Sequence, residues 1–186
     1  MNKKIVTYVF IAIAISTVGS ITAFAQQHDP HKGHNDARSP YVEQLDSPVR
    51  GLSSSEVDNL LNGRGAGYAR MAELNGYPGL RHVLDLSSEL NLSAQQTEEI
   101  EVAFEQMESR AKSLGQTIVH KEQKLSEAFA SGKITNDELE KATNELAQLY
   151  GELRKTHLQA HLNINPLLSA EQIQKYDRLR GYEIAK

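Results

Sequence analysis

Residues 92–130 have the sequence LSAQQTEEIEVAFEQMESRAKSLGQTIVHKEQKLSEAFA, and their apolar pattern is the strongest indication of the fold. Within it, apolar or small residues recur at alternating spacings of four and three and finally seven, at Ile100, Phe104, Met107, Ala111, Leu114, Ile118 and Leu125. This heptad seam predicts a long helix with one packing face, running to about Ala130. Ser93 and Gln96 form a capping box that predicts where the helix begins.

A second long helix is predicted to return along the first. Gly132 ends the first helix, and Thr135 with Glu138 forms another capping box, while Asn165-Pro166 stops or kinks the returning helix. Its apolar residues are Leu139, Ala142, Leu146, Leu149, Leu153 and Ala160. We therefore expect an all-α fold, a long antiparallel hairpin with arms of roughly 45 to 55 Å. Arms this long expose too much apolar seam alone, which predicts a cradle with shorter flanking helices and a dimer.

The phrase that opens residues 92–130 occurs a second time, 76 residues further on. Residues 92–96 read LSAQQ and residues 168–172 read LSAEQ. The shared motif positions are Leu92, Ser93, Gln96, Leu168, Ser169 and Gln172. In each copy the Ser and the Gln can form a capping box, so each copy predicts a helix start. The two copies flank the predicted hairpin, and this arrangement resembles the Spy/CpxP family of periplasmic proteins, whose L-T-x-x-Q motif is found here with Ser in place of Thr.

The resemblance implies a function as well as a fold. Members of the Spy/CpxP family are small helical proteins, often cradle-shaped dimers, and include ATP-independent chaperones, envelope-stress modulators and metal-responsive relatives. We therefore expect a homodimer that binds unfolded periplasmic proteins or a membrane stress sensor without catalysis and needs no cofactor. The alternative is a heavy-metal sensor or buffer of the same fold. The net negative charge of this chain differs from the basic cradle of the best-known chaperone members.

The N-terminus carries the features of an export signal. Lys3 and Lys4 precede an apolar run over residues 5–21, and Ala23-Phe24-Ala25 matches the small-x-small cleavage pattern, which predicts a signal peptide over residues 1–25 and a periplasmic location. The protein would be held at the membrane only if this segment were not cleaved.

The chain without residues 1–25 is acidic. It has 18 basic and 24 acidic residues, a formal charge of −6. This charge argues against nucleic acid as a partner.

Residues 26–52 are predicted to be a flexible leader, since they lack apolar periodicity. They contain His28, His31 and His34, which form either a weak site for Cu, Ni or Zn or only a hydrophilic segment.

Residues 53–186 are assigned to one helical domain. It begins with a capping box, and its first apolar face is predicted to cross a glycine-rich stretch through Val57, Leu60, Leu61, Tyr68 and Met71. A short helix is predicted to follow from about Gly79 to Leu90.

Two histidines of the returning helix are the main candidate metal ligands. His157 and His161 are four residues apart, so they project from one face of a helix. In the predicted hairpin, Glu105 lies opposite both, with Glu108 and Glu101 as further candidates. Two imidazoles and a carboxylate suit Zn, Ni, Co or Cu. The other interpretation is that both histidines are ordinary residues of the packing face.

The sequence argues against an enzyme. The chain contains no Cys, and neither the G-x-S-x-G nor the H-E-x-x-H motif is found in it. The glycine-rich stretch lacks the preceding strand and the Lys-Ser/Thr ending of a phosphate-binding loop. Without Cys, disulfides cannot stabilise the protein, so its stability must come from helix packing or from a partner.

Overall fold

The computed structural model describes residues 39–47 and 49–182, and within this part the chain is mostly helical and has no strand. The described residues form α1 (Ser54–Leu61), α2 (Arg70–Glu73), α3 (Leu80–Asp85), α4 (Ala94–Ala130), α5 (Asn136–Ile164) and α6 (Ala170–Arg180), with 3₁₀ turns at Val42–Gln44 and Asn165–Leu167. None of these helices is both long enough and apolar enough to cross a membrane. The all-helical class is confirmed for the described residues. The predicted signal peptide, with His28, His31 and His34, lies outside them.

Four helices of the described residues begin with a complete capping box. In each, the cap side chain accepts a hydrogen bond from the backbone N–H of the third helical residue, whose own side chain accepts one from the backbone N–H of the cap. The cap residues are Ser53, Ser93, Thr135 and Ser169. Sequence analysis predicted each of these starts, because a capping box depends only on residues three positions apart. A cap of this kind contributes about 1 kcal/mol to helix stability.

The two long helices also end where the sequence predicts. Helix α4 is 37 residues long, and Gly132 follows it with a φ of +65°, a left-handed conformation that ends a helix at low steric cost. Helix α5 is 29 residues long and gives way to the 3₁₀ turn that contains Pro166. The two helices pack against each other and are joined by an ion pair between Lys121 and Glu145.

The short helices differ from the prediction. Helix α3 ends at Asp85 instead of Leu90, because the chain turns through Asn91, at a φ of +50°, and buries Leu90 in the core. The predicted apolar face after α1 is also wrong in part. Leu61 and Met71 are 41% and 56% exposed, since the chain leaves the helix after Leu61 and turns through the glycine-rich stretch.

The core consists of two clusters, and both long helices contribute to each. The α1 core contains Val49, Leu52, Leu60, Ala111, Leu114, Ile118, Leu146 and Leu153. The α6 core contains Leu80, Val83, Leu90, Ile100, Ala160, Ile164, Leu168 and Tyr176. The seam of α4 thus faces inward as predicted, with Phe104, Met107 and Leu125 only half-buried.

The folded part of the chain extends upstream of Ser53. Val49 and Leu52 are 2% and 7% exposed and belong to the α1 core. The hydroxyl of Ser47 donates to the carbonyl oxygen of Val49 at 2.8 Å and organises this turn. The end of the predicted leader therefore packs against α4 in the structure.

Candidate functional site

The two motif glutamines lie against each other in the structure. Gln96 Nε2 donates to Gln172 Oε1 at 2.9 Å and to the carbonyl oxygen of Leu167 at 2.7 Å. Gln172 Nε2 donates to Gln96 Oε1 at 3.2 Å and to the carbonyl oxygen of Leu90 at 3.3 Å. Each Oε1 also accepts the backbone N–H of its own helix cap. The two motifs thus tie the start of α4 to the start of α6.

Sequence analysis predicted both helix starts but not this contact. A capping box accounts for the glutamine oxygen and leaves the amide nitrogen unassigned. One indication of the contact was present in the sequence: both copies have a glutamine at the same motif position, and the capping box does not use its side-chain NH2 group. Spacing along the chain could not show that residues 76 positions apart meet.

Removing either glutamine should destabilise the protein in a coupled manner. Gln96→Ala and Gln172→Ala should each lower the free energy of unfolding by about 1–2 kcal/mol, because each loses a cap contact and the amide pair. The double variant should lose about 1 kcal/mol less than the sum, because the shared pair is lost only once. Urea unfolding of the four proteins measures this coupling.

Glu138→Ala is the matched control. Glu138 completes the capping box at Thr135, and its side-chain hydrogen bonds go to that residue. Its removal should therefore cost less than the removal of either motif glutamine. Additive losses in the double variant, or an equal loss in the control, would contradict the tie between the motifs.

His157 is buried on α5, with 4% of its surface exposed. Its ring stacks on Tyr68, with ring centres 5.8 Å apart and planes 9° from parallel. Its Nε2 atom is buried and has no hydrogen-bond partner among the described residues. An unpaired buried polar atom costs about 1–3 kcal/mol, so this nitrogen requires a functional or structural reason.

His161 lies one turn further along α5 and is 9% exposed. Its Nδ1 atom is 2.9 Å from the carbonyl oxygen of Tyr77. Because a carbonyl oxygen can only accept, Nδ1 carries the proton, and the neutral ring keeps a lone pair on Nε2. A backbone carbonyl that orients the ring in this way is the usual support of a metal-ligating histidine.

The predicted carboxylate ligand is not brought to these two histidines. Glu105 is exposed on α4, and Glu108 pairs with Lys112 at 2.8 Å. Over the part of the chain that the structure describes, no group of three or more His, Asp or Glu side chains is placed to hold a metal ion. The set of His157, His161 and Glu105 is therefore not assembled in the structure. Facing positions on two helices can point away from each other, which the register alone does not reveal.

A cleft of about 880 Å³ lies beside the two histidines. It is bounded by the glycine-rich loop at residues 62–67, by the segment from α2 to α3, and by the faces of α4 and α5 that carry Phe104 and His157. His82 of α3 also lines it. This volume falls within the range of small-molecule sites. The cleft could not be predicted from the sequence, because segments far apart in the chain form it.

A hydrogen-bonded cluster on α6 holds one wall of this cleft in place. The hydroxyl of the fully buried Tyr176 donates to Glu73 Oε1 at 2.6 Å and accepts the backbone N–H of Gly79 at 3.2 Å. Arg180 lies 3.2 Å from the same carboxylate and donates to the Tyr182 hydroxyl at 3.1 Å. Glu73 and Gly79 both line the cleft, so the contacts from α6 set the position of this part of its lining. Sequence analysis singled out none of these residues as functional.

Burial, with a smaller contribution from the charge of His161, lowers the pKa of His157 to about 4. The unfolded chain titrates this residue near its ordinary pKa of about 6.5, so the unfolded state binds more protons between these two pH values. The free energy of unfolding should therefore fall as the pH is lowered from about 6.5 towards 4. His157→Phe should remove this part of the pH dependence while keeping an aromatic ring against Tyr68.

Urea unfolding at about pH 7 and about pH 5 tests this expectation. His120→Gln is the control, because His120 is exposed on α4. It should leave the difference between the two pH values unchanged. A His157→Phe protein with the pH dependence of the parent would show that another group is responsible.

No protein-family model, no curated protein and no solved structure matches this chain.

Proposed function

We propose that this protein is a periplasmic, ATP-independent binding protein of the Spy/CpxP type, a chaperone or envelope-stress adaptor that binds unfolded proteins or a membrane sensor without catalysis. The observation that carries the proposal is the contact between the two LSxxQ motifs. Their glutamines bond reciprocally across 76 positions, so the repeated phrase acts as one structural unit.

The proposed architecture is an antiparallel hairpin that forms part of a cradle. In an antiparallel hairpin that turns near residue 133, facing positions sum to about 266. The ion pair of Lys121 with Glu145 has this sum, and the Tyr150 hydroxyl donates to Glu122 at 3.2 Å nearby. At the other end, Gln96 bonds to the residue that follows Pro166. These three contacts support the antiparallel arrangement.

The proposed client-binding surface mixes apolar and charged side chains. Nine large apolar residues of the described part are at least 41% exposed, on several helices, and they are Tyr41, Leu45, Leu61, Met71, Leu74, Val102, Phe129, Leu162 and Leu179. Arg154 donates to the sulfur of Met71 at 3.5 Å, so charge borders apolar surface there. Separate apolar positions of this kind can hold a loosely collapsed chain weakly and reversibly, without a fitted pocket or ATP.

Aggregation of an unfolded client tests the proposal. The mature protein, in EDTA and without ATP, should suppress light scattering from reduced α-lactalbumin at equimolar concentration. Met71→Ser with Leu74→Ser should weaken the suppression, because both side chains are more than half exposed on or beside α2. Leu61→Ser with Leu179→Ser, at two less exposed positions of the same set, should weaken the suppression less. No suppression even in large molar excess, together with no crosslinked membrane partner, would exclude both forms of the proposal.

The proposed dimer is tested separately by light scattering after gel filtration. Phe129, near the end of α4, is 55% exposed, and a second copy could cover it. The mature protein should elute with the mass of two chains, and Phe129→Glu should shift it towards one. A monomer at all accessible concentrations would contradict the dimer without affecting the client-binding proposal.

A metal-responsive function is the second candidate, and the histidine pair favours it. His157 has an unpaired buried nitrogen, and the Nε2 atom of His161 keeps its lone pair when the ring is neutral. Zn, Ni, Co or Cu would take imidazole nitrogens of this type, and bound solvent or a further side chain would complete the coordination. A resident ion that binds the folded state must raise its stability.

Thermal unfolding with and without each of these ions tests the metal candidate. A rise in Tm that is lost in His157→Ala with His161→Ala would support the site, and its persistence after deletion of residues 26–35 would exclude the leader histidines as its cause. No change in Tm with any of the four ions would exclude a structured metal site. Aggregation suppression in EDTA should survive the double substitution in either case.

A further inference from the structure

Arg70 stands at the edge of the cleft without an acidic partner. Its side chain is exposed and lines the cleft beside Gly67, and it makes no ion pair with any residue that the structure describes. The other cations that line the cleft each pair with an acid, and they are Arg64 with Asp58, Arg81 with Asp85, and Lys112 with Glu108. An anion from solution should therefore interact most strongly with the unpaired guanidinium of Arg70.

The lining of the cleft carries a charge opposite to that of the whole chain. Four cations line it, and they are Arg64, Arg70, Arg81 and Lys112. Two acids, Glu73 and Glu108, also line it. Asp58 and Asp85 pair with two of the cations, and Arg180 pairs with Glu73, so the local balance is five cations to four acids, and Arg70 is the cation left over. The chain has a formal net charge of −4. A local surplus of positive charge in an acidic protein attracts an anion to this place and not to the rest of the surface.

Behind this charged edge, the cleft has an apolar side. Phe104, Met107 and Leu80 line it, and the guanidinium of Arg81 lies 5.7 Å from the centre of the Phe104 ring. These side chains can bury a planar apolar group, which inorganic phosphate does not possess. His157 lines the cleft at the α5 wall, and its Nε2 atom is buried without a partner, so a polar group of a ligand that reaches this atom would satisfy it.

We propose that this cleft binds a small amphipathic organic anion. Its apolar, planar body packs against Phe104 and Met107, its acidic group pairs with Arg70, and a polar substituent hydrogen-bonds to His157. This proposal goes beyond the binding of client proteins, since it assigns a small-molecule ligand to the cleft. It also differs from a metal site at His157 and His161, because recognition depends on Arg70 and on the apolar wall.

A pair of aromatic probes separates the recognition of charge from general hydrophobic binding. 8-Anilinonaphthalene-1-sulfonate has an aromatic body, one anionic group and an N–H donor, whereas N-phenyl-1-naphthylamine has nearly the same body without the anionic group. Both are titrated against the full mature protein in EDTA, followed by fluorescence and calorimetry. We expect the anionic probe to bind saturably at one site per chain, more tightly than the neutral probe.

Arg70→Gln should weaken binding of the anionic probe about five- to tenfold and leave the neutral probe unchanged, because a hydrogen bond to a charged group is lost. Arg110→Gln is the matched control, since Arg110 is an exposed arginine of α4 outside the cleft. It should change neither affinity. Thermal unfolding of both variants shows that the fold is retained, as expected for exposed positions. His157→Phe should also weaken binding of the anionic probe.

The proposal is overturned if both probes bind equally, if Arg70→Gln and Arg110→Gln have the same effect, or if the anionic probe binds only after EDTA is replaced by Zn. Non-saturable binding to many sites would likewise overturn it, since that result indicates scattered apolar surface. Failure here leaves the client-binding proposal standing, because suppression of α-lactalbumin aggregation by Arg70→Gln is expected to equal that of the parent protein.

Discussion

Gly115→Ala should lower the free energy of unfolding by about 2–3 kcal/mol, although alanine is the better helix former. Gly115 is buried in α4 at the place where the end of α1 crosses it. A Cβ atom built on Gly115 would overlap the carbonyl group of Leu60 and lie 3.1 Å from its Cα. Because the obstructing atoms belong to the backbone, α1 would have to move away from α4 and open the α1 core.

Gly151→Ala is the matched control for this substitution. Gly151 is an exposed helical glycine of α5 with no atom within 4 Å of an added Cβ. Alanine there should stabilise the protein by about 0.5–1 kcal/mol, through helix propensity alone. Urea unfolding followed by circular dichroism measures both variants. A stabilised Gly115→Ala protein would mean that α1 does not pack on α4 as the structure has it.

Tyr176→Phe should lower the free energy of unfolding by about 2–4 kcal/mol at neutral pH. The ring remains buried, but the Glu73 carboxylate loses a hydrogen bond of 2.6 Å and the backbone N–H of Gly79 loses its acceptor. A bond to a charged group accounts for most of the expected loss. Tyr77→Phe, which removes the hydroxyl of a half-buried tyrosine nearby, should cost much less.

The loss in Tyr176→Phe should also depend on pH. Burial by itself raises the pKa of Glu73, but hydrogen bonds from two tyrosine hydroxyls and two nearby positive charges outweigh it, so the pKa lies below its ordinary value. A lowered carboxyl pKa stabilises the fold above the unfolded pKa, and this stabilisation disappears as the pH falls through the folded pKa. The difference between parent and variant should thus be smaller at about pH 3 than at about pH 7. An equal difference at both pH values would show that Glu73 is not involved.

Much of the helical framework could be predicted from residues close together in the chain. The four capping boxes and the ends of α4 and α5 lie where the sequence places them. Four seam residues, Ile100, Ala111, Leu114 and Ile118, are buried as the periodicity indicates, and Phe104 and Met107 are half-buried. The prediction failed at α3, where Leu90 turns into the α6 core, and after α1, where Leu61 and Met71 are exposed. The spacing of apolar residues within one segment does not show how that segment packs against distant helices.

The candidate site was predictable only in part. His157 and His161 lie on one face of α5 as their spacing requires, and both are buried. Glu105 was chosen from register alone and is exposed elsewhere on α4. Arg70 and the glycine-rich loop line the cleft from the segment between α1 and α3. The direction of a turn depends on tertiary packing more than on its own few residues.

Caps and the spacing of apolar residues set where the long helices begin and end and which of their faces is apolar, because both depend on atoms within one or two turns. Three contacts depend instead on how the helices pack: Gln96 meets Gln172, Gly115 lets a carbonyl of α1 approach α4, and Tyr176 holds the cleft wall at Glu73. These contacts join residues 55 to 103 positions apart. At such separations the path of the chain, and not the spacing of residue types, determines which side chains meet.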